Sequence, residues 1–242
     1  MKNSIILLVA LFALNSANAQ WWGNNKKIKG NGEVITKTFE TGDYDEVSGR
    51  SSFDIILISG TEGKITVEAE SNIMEHIEIE VNGGNLKIGM EKGYNISTRK
   101  GITVTVPVER ISGLSMAGSG DIISKLKLKS KNMDISVAGS GDISTEVESE
   151  NLEISIAGSG DVKVTGRTEN LEASVAGSGD ISALNLKANN VNASIAGSGD
   201  VSVYCNGGDL KASIVGSGDL RYKGTASSIK KSVMGSGDIT KM

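Results

Sequence analysis

Seven aspartates recur in the second half of the sequence, each at the end of the tetrapeptide Gly-Ser-Gly-Asp. If these repeats stack in register, neighbouring carboxylates lie about 4.8 Å apart and repel by about 0.9 kcal/mol in bulk water. Cations between them would relieve the repulsion, and calcium accepts aspartate, serine and carbonyl oxygens in flexible geometry. The candidate cation ligands are Asp121, Asp142, Asp161, Asp180, Asp200, Asp219 and Asp238.

The tetrapeptide also has a structural explanation, which we prefer to the calcium site. Glycine suits positions where φ is positive or where two backbones approach closely. Aspartate accepts hydrogen bonds from nearby backbone N–H groups, as in an Asx turn. The sequence therefore predicts a tight corner closed by its own aspartate. The predicted corner glycines are Gly118, Gly120, Gly139, Gly141, Gly158, Gly160, Gly177, Gly179, Gly197, Gly199, Gly216, Gly218, Gly235 and Gly237.

Enzymatic chemistry has little support in the residue types. An activated serine needs a base and an orienting acid, but His76 is the only histidine, and Cys205 has no histidine in its own repeat. A polysaccharide-acting β-helix enzyme would need two carboxylates in a groove together with sugar-stacking aromatics. The repeats contain only Tyr204 and Tyr222. We predict no catalytic residue and no cofactor, with such an enzyme as the second alternative.

The repeats predict the elements that position these corners. Successive aspartates are 19–21 residues apart, and within a unit Leu152, Ile154 and Ile156 alternate with Glu153 and Ser155. A period of two is typical of short, half-buried strands, and stacked units bury the face that one unit cannot. The fold class is therefore all-β: a parallel β-solenoid (β-helix) of about seven short coils, whose handedness the sequence leaves open.

The rest of the chain divides into three parts. Residues 1–19 have a lysine, an apolar run and a small-x-small pattern, which predict a signal peptide. A linker covers 20–29, and a β-hairpin-rich region at 30–110 is expected to cap the core ahead of the repeats at 111–242. In this region "FDIILISGTEGKITVEAE" predicts two strands, and "HIEIEVNGGNLKIGM" predicts a hairpin.

Composition restricts the partners and the location. A net charge of −4 argues against nucleic acid, which needs a basic face. The predicted signal peptide implies that the mature chain is exported, and no stretch after it approaches the twenty apolar residues of a transmembrane helix. At the other end of the repeats, Lys231 occupies an inward position, where a lysine discourages end-to-end pairing.

The order of motifs resembles a known family. "GNGEVITKTFETGDYDEVSGRSSFDIILISG", "ITVEAESNIMEHIEIEVNGGNLKI" and the repeated "SIAGSGDI" are similar to the head GIN domain family of adhesin-like proteins, exported by Gram-negative bacteria. The resemblance implies a β-solenoid with an adhesin-like role in the periplasm or at the cell surface, and it brings no catalytic residues. A repetitive surface rich in Ser and Asp would hold a glycan or a surface protein. A calcium-stabilised structural module is the first alternative, and the oligomeric state is left open.

Overall fold

A computed structural model describes residues 26–242. The predicted signal peptide and the linker residues 20–25 lie outside this range. Within it the chain forms nineteen strands and one four-residue helix. The strands are β1 (Lys26–Lys29), β2 (Val34–Glu40), β3 (Glu46–Ser51), β4 (Asp54–Ser59), β5 (Lys64–Glu70), β6 (Ile77–Asn82), β7 (Asn85–Met90), β8 (Tyr94–Ser97), β9 (Thr103–Val108), β10 (Gly113–Gly118), β11 (Ile122–Gly139), β12 (Ile143–Gly158), β13 (Val162–Gly177), β14 (Ile181–Gly197), β15 (Val201–Asn206), β16 (Asp209–Gly216), β17 (Leu220–Thr225), β18 (Ser228–Gly235) and β19 (Ile239–Lys241), and helix α1 spans Ser71–Met74.

The repeats form a parallel β-solenoid, as the sequence predicts. Strands β10 to β19 pair in parallel with the equivalent strand of the next coil, and equivalent residues face each other, as Ser136, Ser155 and Ser174 do. In β11 to β14 the strand continues from one Gly-Ser-Gly-Asp corner to the next. In these four strands the second joint, predicted as a break between two short strands, is a bend in one long strand. The predicted break does occur between β15 and β16 and between β17 and β18.

The core is a set of inward columns along the solenoid axis. One column runs from Leu114 through Ile135 and Ile154 to Ala173 and Ala193, all of them buried. Apolar residues alternate with polar ones because successive side chains on a strand point to opposite faces. The outward positions are thus left to polar and small residues, and they form the surface of each coil.

Strands of the N-terminal region extend the same sheets before they cap them. Strand β3 pairs in parallel with β10, and β4 pairs in parallel with β11, so both continue the ladder of the repeats. Beyond them, β7 pairs with β3 and β9 pairs with β4. The antiparallel strands come last: β6 covers β7 on one face, and β5 followed by β2 covers β9 on the other.

One of the two strand pairs expected in this region differs from the hairpin pattern. The β6–β7 hairpin forms as predicted, with its turn between Asn82 and Asn85. Strands β4 and β5 both form, but they are separated by β9, which pairs in parallel with β4 and antiparallel with β5. The reason is that β4 already has β11 on one edge and β9 on the other, so no edge is left for a hairpin with β5.

Candidate functional site

The aspartates of the corners form one column whose carboxylates bind backbone of the following coil. In each of six successive pairs the backbone N–H of one aspartate donates to Oδ1 of the aspartate one coil earlier, at 2.7–3.1 Å. For example, Asp180 N donates to Asp161 Oδ1 at 2.9 Å. The sequence predicts instead that each aspartate closes its own corner as an Asx turn. The structure places this bond between coils, where it ties neighbouring corners together.

The two glycines of each corner have different structural reasons. The first glycine adopts positive φ, as Gly139 and Gly158 do, a region that other residues rarely adopt. The second glycine is buried against the preceding coil. A Cβ built on Gly160 would lie 2.0 Å from Gly141 O and 2.9 Å from Val137 Cγ1. The first glycine is close to the preceding coil as well, since a Cβ on Gly158 would lie 2.3 Å from Gly139 O, so it is required both for its conformation and for stacking, and the second for stacking.

At one place in the aspartate column a positively charged side chain of the protein lies where a cation was predicted. Arg221 donates from Nη1 to Asp200 Oδ2 at 3.2 Å and from Nη2 to Asp219 Oδ2 at 3.1 Å. Within residues 26–242 no group of three or more His, Cys, Asp or Glu side chains is placed to hold a metal ion. Calcium binding by this column stays a prediction.

A second ladder consists of asparagines and was missed as a feature of its own. Asn151, Asn170 and Asn190 each donate from Nδ2 to Oδ1 of the asparagine one coil earlier, at 2.8–2.9 Å, and the ladder begins at Asn132. Backbone N of Asp209 donates to Asn190 Oδ1 at 3.1 Å and ends it. The signal was available, because these asparagines have the same 19–20-residue spacing as the aspartates.

The bend at the second joint lies along an open groove, which we call the second-joint groove. The groove has a volume of about 1090 Å³ and crosses five coils. Ion pairs cross its coils: Lys129 Nζ lies 3.8 Å from Glu148 Oε2, Lys131 Nζ lies 3.6 Å from Glu150 Oε2, and Arg167 binds Glu148. The hydrogen bond from Arg167 lowers the pKa of the Glu148 carboxyl, with Lys129 adding to the effect. The lining residues that carry the polar chemistry are Lys129, Lys131, Glu148, Glu150, Arg167, Glu169, Lys187 and Asn189.

Beside the asparagine ladder runs a column whose charge changes sign along the solenoid. Its carboxylates come first and its ammonium groups last, and every member is exposed. Although Asp134 is exposed, partial desolvation by the surrounding protein raises the pKa of its carboxyl, and the negative charges of Glu153 and Glu46 raise it further. We call this set the graded column: Asp134, Glu153, Glu172, Asn192, Lys211 and Lys230.

Cys205 belongs to the core. It is fully buried, and its Sγ lies 3.5 Å from Asn189 O and 3.7 Å from Gly208 O. Burial raises the pKa of its thiol. Since the thiolate is the nucleophile, a buried thiol with a raised pKa is poorly suited to nucleophilic chemistry.

Comparisons with solved structures find the same fold in other bacterial proteins. The chain is similar to a "putative adhesin" from Bacteroides fragilis (24% identity, TM-score 0.83, covering 89% of this chain and 100% of the other). It is also similar to a "putative lipid binding protein" from Parabacteroides distasonis (31%, 0.73, 90% and 100%) and to a "putative adhesin" from Parabacteroides merdae (23%, 0.72, 89% and 99%). No curated protein matches the sequence significantly.

The family model with the description "Putative auto-transporter adhesin, head GIN domain" matches residues 43–226. This stretch contains β3 to β17 whole, together with most of the corners and the second-joint groove. The match covers well over half of the chain. The chain belongs to the head GIN domain family.

Proposed function

We propose that the protein is an exported, non-enzymatic, adhesin-like module of the periplasm or cell surface. In this proposal it binds a glycan polymer or a surface protein along its solenoid. Membership of the head GIN domain family supports the adhesin-like role. Among residues 26–242 no helix has the length and hydropathy needed to cross a bilayer.

The observation that carries the proposal is the second-joint groove. It offers polar and charged side chains at five successive coils and is open to solvent along its length. A polymer lying along the axis would meet a similar set of donors and acceptors about every 4.8 Å. Contacts that are weak one by one add by avidity when they are linked in this way, so binding needs no deep pocket.

The charges in the groove also support a binding role over a catalytic one. A glycoside-cleaving site needs one carboxylic acid with a raised pKa and a second carboxylate opposite it. In the groove, the pKa of Glu148 is lowered by Arg167. Asp134, whose pKa is raised, lies outside the groove lining, in the graded column.

The test is a binding screen with groove variants. The purified protein is applied to a glycan array, to outer-surface proteins of other cells and, because one structural relative is named for lipid binding, to lipid vesicles. The double variant Arg167→Glu/Lys187→Glu should lose at least tenfold in affinity for the ligand found. Lys163→Glu on the strand after the corner is the control of matched charge type, and it should bind normally.

Two outcomes would contradict the proposal. One is a ligand whose affinity is the same for the groove double variant and for the wild-type protein. The other is release of product from any glycan in the panel, because a binding module leaves its ligand intact. A ligand that requires calcium and is lost on replacement of corner aspartates would instead favour the aspartate column as its site.

A further inference from the structure

Within residues 26–242, the charges of the graded column have no oppositely charged partner. Some outward charges of the repeats form ion pairs between coils, as Lys127 does with Glu146 at 2.9 Å. Among the described residues 26–242, no ion pair within 4.0 Å includes a member of the graded column. Three carboxylates and two ammonium groups are thus stacked beside like charges, which is unfavourable on a sheet.

We propose that this face joins two copies of the chain in an antiparallel, face-to-face dimer. The two-fold axis lies in the plane of the face, parallel to the strands, and passes between the coils of Glu172 and Asn192. Such an axis reverses the order of coils and places each column opposite the same column of the other copy. A two-fold interface uses one patch twice and must therefore complement itself.

The graded column meets this requirement coil by coil. Under the axis just defined, Asp134 lies opposite the second copy's Lys230, and Glu153 lies opposite its Lys211. Glu172 lies opposite the amide of Asn192. Each of these contacts occurs twice in the dimer, so four carboxylate–ammonium contacts form. The same operation relieves both stacks of like charges, since each stack meets the opposite sign.

The size of side chains on the same face fits the same axis. The outermost column carries exposed alanines in its early coils, including Ala138 and Ala157. In the last two coils it carries Val215, 51% exposed, and Met234, 68% exposed. Reversal of the coils places Val215 opposite Ala157 and Met234 opposite Ala138. The two large apolar side chains therefore meet small residues, not each other.

The area of the face is sufficient for a stable pair. It spans seven residues along each strand, from Asn132 to Ala138 in β11, and six coils along the solenoid axis. These dimensions are about 23 Å by about 29 Å. The dimer would bury roughly 1,300 Å² in total, within the range of about 1,200–2,000 Å² found for specific interfaces.

The experiment is sedimentation of the purified mature chain at low salt, with charge reversals in the graded column. The wild-type protein should dimerise, and the dissociation constant should rise with salt because the contacts are electrostatic. Glu153→Lys and Lys211→Glu, each alone, should raise it by about tenfold or more, since each reversal acts twice in the dimer. Mixing the two variants should restore a heterodimer, in which both contacts again join opposite charges.

The controls separate this interface from a general effect of charge. Lys163→Glu changes the net charge as Lys211→Glu does but lies outside the face, and it should leave the dissociation constant unchanged. Circular dichroism and thermal melting should show that all variants remain folded. A wild-type chain that stays monomeric at about 100 µM, a dimer insensitive to either reversal, or a mixture that fails to pair would each overturn the proposal.

Discussion

The repeats and the N-terminal end of the solenoid satisfy the hydrogen bonds of their polar groups by different means. In the repeats, the polar group of one coil is satisfied by the next coil, as Asp161 is by the N–H of Asp180. At the N-terminal end, one fully buried carboxylate accepts hydrogen bonds from three donors. Glu70 accepts from Gly32 N at 2.6 Å, Thr98 Oγ1 at 2.8 Å and Arg99 N at 2.9 Å.

This difference follows from the directions of the strands. Parallel coils repeat by translation, so one solution to a corner can be used in every coil. At the N-terminal end, antiparallel β5 and β2 stop the translation, and loops from distant parts of the chain meet at a single place. Large side chains such as Tyr44 and Phe53 fill the core there, whereas Ala173 and Ala193 suffice in the middle of the repeats.

The largest effect is expected from Gly160→Ala, in the repeats. The new Cβ would lie 2.0 Å from Gly141 O, a backbone atom that can move only if the stacked coils separate. Overpacking of this kind should lower the free energy of unfolding by about 3 kcal/mol. Equilibrium unfolding in urea measures this change. The control is Ser159→Ala in the same corner, where the side chain is exposed. This control should change the stability by less than about 0.5 kcal/mol, and equal effects of the two changes would contradict the packing argument.

At the N-terminal end, Glu70→Gln should loosen the cap and leave the repeats intact. Gln presents one oxygen and one NH₂, so Gly32 N–H or the pair from Thr98 and Arg99 would face a donor. Hydrogen exchange should become faster in β2 and β5, while amides of β12 and β13 keep their protection. Uniform loss of protection through the repeats would show that the cap and the coils unfold as one unit.

The same residue predicts a response to pH. The backbone hydrogen bond from Arg99 is the largest cause that lowers the pKa of the Glu70 carboxyl, and Thr98 and Gly32 add to it. A lowered pKa in the folded state gives stability that is present above the ordinary glutamate pKa and is lost as pH falls through the folded value. Protection factors, which correct for the slower intrinsic exchange in acid, should fall for amides of β2 and β5 on acidification of the wild-type protein and change less in Glu70→Gln.

The sequence predicts the repeats well because the same pattern of apolar, polar and glycine residues occurs in every coil. Seven equivalent corners allow the inward positions, the strand direction and the stacking to be deduced from spacing alone. The hydrogen-bond donor to each aspartate could not be deduced from the sequence. A carboxylate that accepts within its own corner and a carboxylate that accepts from the next coil are both aspartates, so the two arrangements have the same sequence. The asparagine ladder had the spacing, but its neighbours vary from coil to coil.

The N-terminal end could be predicted only as strands. Patterns of apolar residues locate β4 and β5, but nothing local to either strand indicates that β9 lies between them. Glu70 is one glutamate among many in the sequence, and its three donors, on Gly32, Thr98 and Arg99, are all distant from it along the chain. The graded column becomes visible only when the register aligns one outward residue from each coil.

A smaller effect is expected from Asp161, where two substitutions separate hydrogen bonding from charge. Asp161→Ala removes the acceptor of Asp180 N–H and should cost about 1 kcal/mol. Asp161→Asn keeps an oxygen acceptor and should cost less than about 0.5 kcal/mol.

Calcium offers a separate test: a bound cation predicts a melting temperature that millimolar calcium raises and chelator lowers, with a weaker response in Asp161→Asn. The absence of any shift would end the calcium alternative.

The smallest effect on stability is expected at the C-terminal end, from Lys231. Its register partner is the buried Ala212, and its Nζ donates to Ile239 O at 2.9 Å and lies 5.1 Å from the centre of the Tyr222 ring. The ammonium group thus covers the end of an inward column, and Lys231 itself belongs to β18, whose residues are all exposed. Stability in Lys231→Val should change by less than about 1 kcal/mol, because the lost contacts are at the surface.

Association, not unfolding, should reveal the role of Lys231. An apolar residue at an open strand edge favours pairing with another molecule, so Lys231→Val should form larger assemblies as concentration rises, whereas Lys231→Arg should not. The background is Glu153→Lys, which suppresses the proposed face-to-face dimer, and light scattering follows the size. If Lys231→Val assembles no more than Lys231→Arg, β18 and β19 keep this end from pairing without the lysine, and the lysine contributes only its contact with Ile239.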